Sequence, residues 1–208
     1  TEPTAYPFGG FLENKQTLEI NLEVKDKLYN NFLETLLLKI QIPGDSLPYV
    51  LHELKKSPVS GRVMAEFDLD LISENTNLDT TLQDKDSILI PYITQQVYVY
   101  GEVNNSGAIR YMPNKGVNYY INNAGGIKRS SDKKNIYVVN PNGATSLIQT
   151  NNLLSKLSPE KQQLIYPGSI IFVPRNTSLD TAQSAAIWGP IISSLALSLT
   201  SLSVLDSN

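Results

Sequence analysis

Cysteine is absent from all 208 residues. That excludes a disulfide, a thiolate metal site and a cysteine-borne lipid within this sequence. Histidine occurs once, as His52 in His-Glu-Leu-Lys-Lys, without the second histidine that a zinc-protease helix needs. No glycine-rich phosphate loop is present. The usual nucleophilic, metal-assisted and nucleotide-dependent routes to catalysis therefore have no residues to run on. The expectation is a non-enzyme, with no catalytic residue, no cofactor and no metal. An excess of basic residues is missing too: 17 Lys and Arg stand against 20 Asp and Glu, a net charge of −3. This argues against a general nucleic-acid binder. Thr1 to Phe11 has neither a basic start nor an apolar core, so it does not read as a signal peptide. The chain is expected to be the C-terminal part of a longer protein.

The longest absence lies at the end. From Thr181 to Leu205 no Asp, Glu, Lys, Arg or His occurs. On a helix, Ile187, Trp188, Ile191, Ile192, Leu195, Leu199 and Leu202 fall on one broad face. Ser193, Ser194, Thr200 and Ser201 fall mostly opposite, with Ser198 at an edge. Such a helix would reach about 37 Å at about 1.5 Å per residue, enough for a bilayer core of roughly 30 Å. A helix lying on a lipid surface would carry Lys or Arg on its polar face, and there is none. Three readings remain. One is a ring of copies, with the apolar stripe toward lipid and the hydroxyls toward a lumen or toward each other. The second is a helix docked on its own globular core, and the third is a flexible tail. Pro190 either starts the helix or kinks it. Trp188 suits a membrane interface as an amphipathic aromatic, and equally suits packing on the preceding module.

Before the tail, residues 1–13 read as a connecting segment, and Asn14 to Ile40 as a long helix with Leu18, Leu22, Tyr29, Phe32, Leu33 and Leu36 on its packing side. A short helix is predicted over 46–56. Arg62 to Ile72 alternates Phe67, Leu69 and Leu71 with Glu66, Asp68 and Asp70, the pattern of a half-buried strand. Its carboxylates read as a wet face before they read as a divalent-ion site. Asp68 and Asp70 share one face, whereas glycosidase carboxylates flank the substrate. Val97 to Val103 reads as a strand, Asn104-Asn-Ser-Gly107 as a hairpin turn and Ala108 to Tyr111 as the return. Lys115 to Asn123 reads as a helix stopped by Gly125 and Gly126. Strands follow at Ile136–Val139, Ala144–Gln149 and Ile170–Pro174. This order of hairpin, helix and further strands is that of a β-grasp. An internal echo accompanies it: Asp86-Ser-Ile-Leu-Ile-Pro91 matches Gly168-Ser-Ile-Ile-Phe-Val-Pro174, with Ser87 set against Ser169.

Three motifs carry a resemblance: Val97-Tyr-Val-Tyr-Gly-Glu-Val-Asn-Asn-Ser-Gly107, Asn122-Asn-Ala-Gly-Gly-Ile127 and Tyr166-Pro-Gly-Ser-Ile-Ile-Phe-Val-Pro174. They resemble the SLBB domain, the soluble-ligand-binding β-grasp. With Tyr6-Pro-Phe-Gly-Gly10, the long helix and the tail, the chain is similar to the C-terminal part of the outer-membrane polysaccharide export family of the Wza and KpsD kind. The fold class this implies is α+β, with β-grasp (SLBB) modules and a C-terminal amphipathic transmembrane helix that forms an α-helical barrel in a ring oligomer. Its parts are residues 1–45, a linker and long helix; 46–95, the end of a first SLBB-like module; 96–175, a complete SLBB domain; and 176–208, the outer-membrane helix. The resemblance implies an outer-membrane translocon subunit with a periplasmic body in a Gram-negative bacterium. It would be a passive channel for capsular or extracellular polysaccharide, the alternative being a soluble periplasmic module that binds glycan or a small ligand. The partners implied are a homo-oligomeric ring of about eight or nine subunits, the polysaccharide, an inner-membrane co-polymerase or transporter, and outer-membrane lipid, but no nucleic acid. The basic loop of Lys128, Arg129, Lys133 and Lys134 is the candidate contact to polysaccharide or to a neighbouring subunit. It reads equally as a solvated loop.

Overall fold

The structure is a computed structural model, and it describes residues 4–38, 52, 55, 59–149, 164–176, 188 and 192. The chain divides into two compact units, one of residues 1–93 with 189–208 and one of residues 94–188.

The second unit is a five-stranded mixed sheet with one helix packed on it. Its strands are β4 (Gln96–Gly101), β5 (Gly107–Arg110), β6 (Asn135–Val139), β7 (Thr145–Gln149) and β8 (Ile170–Val173), in the order β5-β4-β8-β6-β7. β8 is central, parallel to β4 and antiparallel to β6. The helix, α3 (Val117–Asn123), packs Val117, Tyr120 and Ile121 onto Val97 and Val99 of β4 and Ile171 and Val173 of β8. Tyr120 is fully buried, and its hydroxyl accepts from Met112 N and donates to Met112 O, both at 3.1 Å. Its polar end is thereby satisfied inside the core. Gly125 and Gly126 close α3 with positive φ, and the Gly126 N–H reaches Ile121 O at 2.9 Å. Gly101 has φ +91°, and a β-carbon there would stand 2.1 Å from Val173 O. Only glycine lets β4 and β8 meet so closely at that point.

The first unit holds a three-stranded antiparallel sheet, β2-β1-β3, made of β1 (Phe11–Glu13), β2 (Arg62–Val63) and β3 (Ser87–Leu89). The long helix α1 (Lys15–Leu38) leaves from β1. Asn14 caps it, with Oδ1 accepting from Thr17 N at 2.9 Å. Leu18, Tyr29 and Leu33 of α1 are half-buried as predicted, but Leu22 is exposed. The segment read as a connector before residue 14 supplies a sheet strand. The predicted strand over Arg62–Ile72 ends at Val63, and Leu69–Glu74 is helical (α2). Asp68 is the N-cap of that helix, accepting from Asp70 N at 3.0 Å. The acidic alternation thus reflects helix capping rather than one strand face. Of the helix predicted over 46–56, only His52 and Lys55 lie within the described residues; both are helical and exposed.

The two units repeat one plan. β3 pairs with β1 through Phe11–Leu89, Leu12–Ile88 and Glu13–Ser87, as β8 pairs with β6 through Tyr137–Phe172, Val138–Ile171 and Val139–Ile170. β2 takes the place of β7. Asn14 N donates to Gly61 O as Asn140 N donates to Ala144 O. Asp86 Oδ2 accepts from Gln83 N at 2.8 Å, as Ser169 Oγ accepts from Tyr166 N at 3.0 Å. Asn14 Nδ2 bonds Asp86 Oδ1, as Ser169 Oγ bonds Asn140 Oδ1. The echo read from the sequence is therefore one residue out of register: Asp86, not Ser87, corresponds to Ser169. The tight turn Pro141-Asn142-Gly143 of the second unit is replaced in the first by the excursion that contains α1.

The described residues of the first unit include no counterpart of β4, β5 and α3. Its apolar face is correspondingly open: Ile88 is 46% exposed, whereas its equivalent Ile171 is 0% exposed.

The expected transmembrane helix over 176–208, and the α-helical barrel built from it, are corrected. Among the described residues no helix is long and apolar enough to cross a membrane. Trp188 and Ile192 are helical and fully buried. The fold is a mixed α/β arrangement of two sheets with few helices.

The repeat predicts an asymmetry. Ile171→Ala should cost about 2–5 kcal/mol as a cavity in a closed core. The equivalent Ile88→Ala should stay below about 1 kcal/mol. Urea denaturation of the two variants checks this, and equal losses would count against the correspondence.

Candidate functional site

Alternation along β4 and β8 gives the second sheet two faces. Val97, Val99, Ile171 and Val173 face α3. The other face carries Gln96, Tyr98 and Tyr100 from β4, Ile170 and Phe172 from β8, and Tyr137 and Val139 from β6. Ile170, Phe172, Tyr137 and Val139 are buried although no part of α3 covers them. Trp188 covers this side, with its ring 5.5 Å from that of Phe172. Burial, with a smaller contribution from nearby Asp132, pushes the Tyr137 hydroxyl up to about 12.

One strand over, Tyr98 and Tyr100 are only half-buried, and Gln96 is exposed. The two tyrosine rings lie parallel within 4°, with centroids 6.4 Å apart. Beside them on β5, Ala108 pairs with Tyr98 and Arg110 pairs with Gln96, and both are exposed. Burial, and then the neighbouring Tyr98, hold the Tyr100 hydroxyl above the usual tyrosine value.

The basic loop is anchored to the end of β4. Lys128 N donates to Glu102 O at 2.9 Å, and Ser130 Oγ donates to Glu102 Oε2 at 2.5 Å. Arg175 Nε stands 3.8 Å from Glu102 Oε1. Asp132 N and Asn176 N tie the loop to the chain beyond β8, through Pro174 O and Ser130 O. The backbone is thus fixed, while Lys128, Arg129, Lys133 and Lys134 are all exposed. These cations share one anchored loop rather than a mobile one.

Among the residues assigned to the tail helix, Trp188 and Ile192 are buried. Ile187, Ile191, Leu195, Leu199, Leu202, Ser193, Ser194, Ser198, Thr200 and Ser201 lie outside the described residues. In the first unit, Arg62 lies with its guanidinium carbon 4.9 Å from the centroid of the Phe11 ring, and burial lowers its pKa to about 10. Among the described residues no group of three or more His, Asp or Glu is placed to hold a metal ion. The tyrosine pair was read in the sequence only as strand. Its signal was Tyr-Val-Tyr itself, an aromatic at alternate positions opposite two core valines.

Residues 105–199 match the family model described as Capsule biosynthesis GfcC C-terminal. Over that stretch the chain is similar to a capsule-biosynthesis family. The matched range runs from the hairpin turn before β5 through α3, β6, β7 and β8 and takes in Trp188, while β4 lies just before it. The capsule connection drawn from the motifs is therefore found at the level of capsule biosynthesis.

Two outcomes are expected. Trp188 is the single tryptophan. In detergent-free buffer its emission should be blue-shifted and poorly quenched by iodide, and detergent should change neither; an exposed, readily quenched signal would contradict its packing. In an ultraviolet titration, one tyrosine should ionise near pH 12, and Tyr137→Phe should remove that step. Because the folded value is raised, Tyr137 contributes stability that is complete below the ordinary tyrosine value of about 10 and is lost as pH rises toward about 12.

Proposed function

We propose that this chain is a non-catalytic component of capsular or extracellular polysaccharide assembly, one that binds the polymer in the periplasm of a Gram-negative cell. It would receive the polymer from an inner-membrane co-polymerase or transporter. The observation that carries this reading is the match of residues 105–199 to a capsule-biosynthesis family. Two features of the structure support a binding role over a pore. Trp188 is spent on covering the sheet beside Phe172. Beyond that cover, the unit presents an anchored loop of four exposed cations and a row of half-exposed aromatic and polar side chains along β4. A surface that handles a long hydrated polymer needs many weak contacts rather than one deep pocket. Exposed cations on a fixed backbone and flat aromatic rings supply contacts of that kind. Catalysis has no part in the proposal: glycan hydrolysis would need two carboxyl groups across a cleft, and Asp68 is engaged as a helix cap.

Affinity electrophoresis of the purified chain through gels containing extracellular polysaccharide from the producing strain tests the reading. Mobility should fall as polymer concentration rises, with no release of reducing ends. Unchanged mobility would sink the binding role, and reducing-end release would replace it with a hydrolase.

A further inference from the structure

The open half of the second sheet's outer face has a chemistry of its own. Tyr98 and Tyr100 present parallel rings at alternate positions of β4, half-exposed, on the side away from α3. Their neighbours toward β5 are small or polar: Ala108 beside Tyr98, Arg110 beside Gln96. Their neighbours toward β8 are Ile170 and Phe172, with Trp188 over Phe172. The result is a lane along β4 with a covered aromatic wall on one side and a low polar edge on the other. From Gln96 to Glu102 it runs about 20 Å at about 3.3 Å per residue. Arg110 lies toward its start. At its far end Glu102 fastens the loop bearing Lys128, Arg129, Lys133 and Lys134.

Two half-exposed tyrosines side by side make a poor solvent face, since each leaves apolar ring surface in water. Neither is needed to close the core, which Val97 and Val99 complete from the same strand. A sugar ring has one face of C–H groups and a rim of hydroxyls. It can cover such a ring while its hydroxyls reach Gln96 and the tyrosine hydroxyls. Cations at both ends of the lane, on a chain whose net charge is negative, suit a polymer with carboxylates along its length.

We propose that Tyr98 and Tyr100 form a stacking platform for an acidic polysaccharide segment, held at its ends by Arg110 and the Lys128–Lys134 loop. This rests on the polysaccharide-binding reading above and names the site and the sugar class. Gln96 supplies hydrogen bonds, the rings supply apolar contact, and the loop supplies attraction that salt weakens.

The test uses the full chain, with an alginate hexasaccharide as the acidic probe and maltohexaose as the neutral one, by calorimetry at low and high salt. The natural sequence should bind alginate more tightly, and less so at high salt. Tyr98→Ala with Tyr100→Ala should weaken alginate binding by about 10-fold or more, at about 3- to 10-fold per ring. The Phe pair should restore most of it, which also controls for misfolding. Ala at all four loop cations together with Arg110→Ala should abolish the preference for alginate and its salt dependence. Alginate binding unchanged in the Ala pair, while the strain's own polymer is still retarded in gels, would overturn the platform and leave the binding reading intact. Equal, salt-insensitive binding of both probes would overturn the acidic class. No binding of either probe, together with no retardation of the native polymer, would overturn both proposals.

Discussion

Everything in the second unit depends on the parallel contact between β4 and β8. These strands are far apart in sequence, and their pairing puts β8 in the middle of the sheet, with β6 on its other side. A central strand has no wet side: Ile170 through Val173 are all buried, two facing α3 and two on the opposite side, where Phe172 meets Trp188. The contact requires Gly101, because any β-carbon there would collide with Val173 O. It also sets the registers by which Tyr98 meets Ile170 and Tyr100 meets Phe172. The exposed half of the outer face is therefore defined by the same pairing that closes the core.

The repeated plan shows which parts of this arrangement are interchangeable. The turn before β8 is held by a serine and the turn before β3 by an aspartate, each accepting from the backbone three residues earlier. Asn140 and Asn14 brace the two turns in turn. The geometry asks only for a short side chain with an acceptor oxygen, which explains how the match survives a change from Ser to Asp. The connection after β1 is free to vary because it leaves the sheet at an edge hairpin. A three-residue turn in one unit and a 24-residue helix in the other then leave the same strand pairing undisturbed. The open face of the first unit follows from the same comparison: among the described residues β3 is an edge strand flanked by β1 alone, and Ile88 is not buried as Ile171 is.

Much of the second unit was legible in the sequence, since its strands and its helix fall within two residues of the predicted ranges. The reasons are local: the Asn-Asn-Ser-Gly and Pro-Asn-Gly turns, the paired glycines after α3, and short apolar runs between them. The acidic stretch before Ile72 misled because alternation over a few residues does not separate a strand from a capped helix turn. Asp68 decided the matter through its side-chain bond to Asp70 N. The tail misled for a different reason. An amphipathic, charge-free stripe states that one face will be buried and does not state against what. The deciding signal lay elsewhere, in Ile170-Ile-Phe-Val173. A continuous apolar run marks a strand covered on both faces, and α3 covers only one, so part of the chain had to supply the second cover.

That requirement separates the two fates open to Trp188. In a membrane helix its ring would sit among lipid headgroups, and Phe172, Ile170 and Tyr137 would face water on a sheet with no outer layer. Exposing three such side chains would cost about 1.5–3 kcal/mol each, and the interfacial placement of one tryptophan does not offset this. Docking buries the tryptophan and the sheet face together. One strand beyond β8, Tyr98 and Tyr100 are only half-buried. The sheet is thus closed on one side by a helix and half-closed on the other, where the tryptophan meets Phe172. The capsule-biosynthesis match takes in the strands on either side of β4, together with Trp188, so the elements that close the sheet belong to the matched stretch.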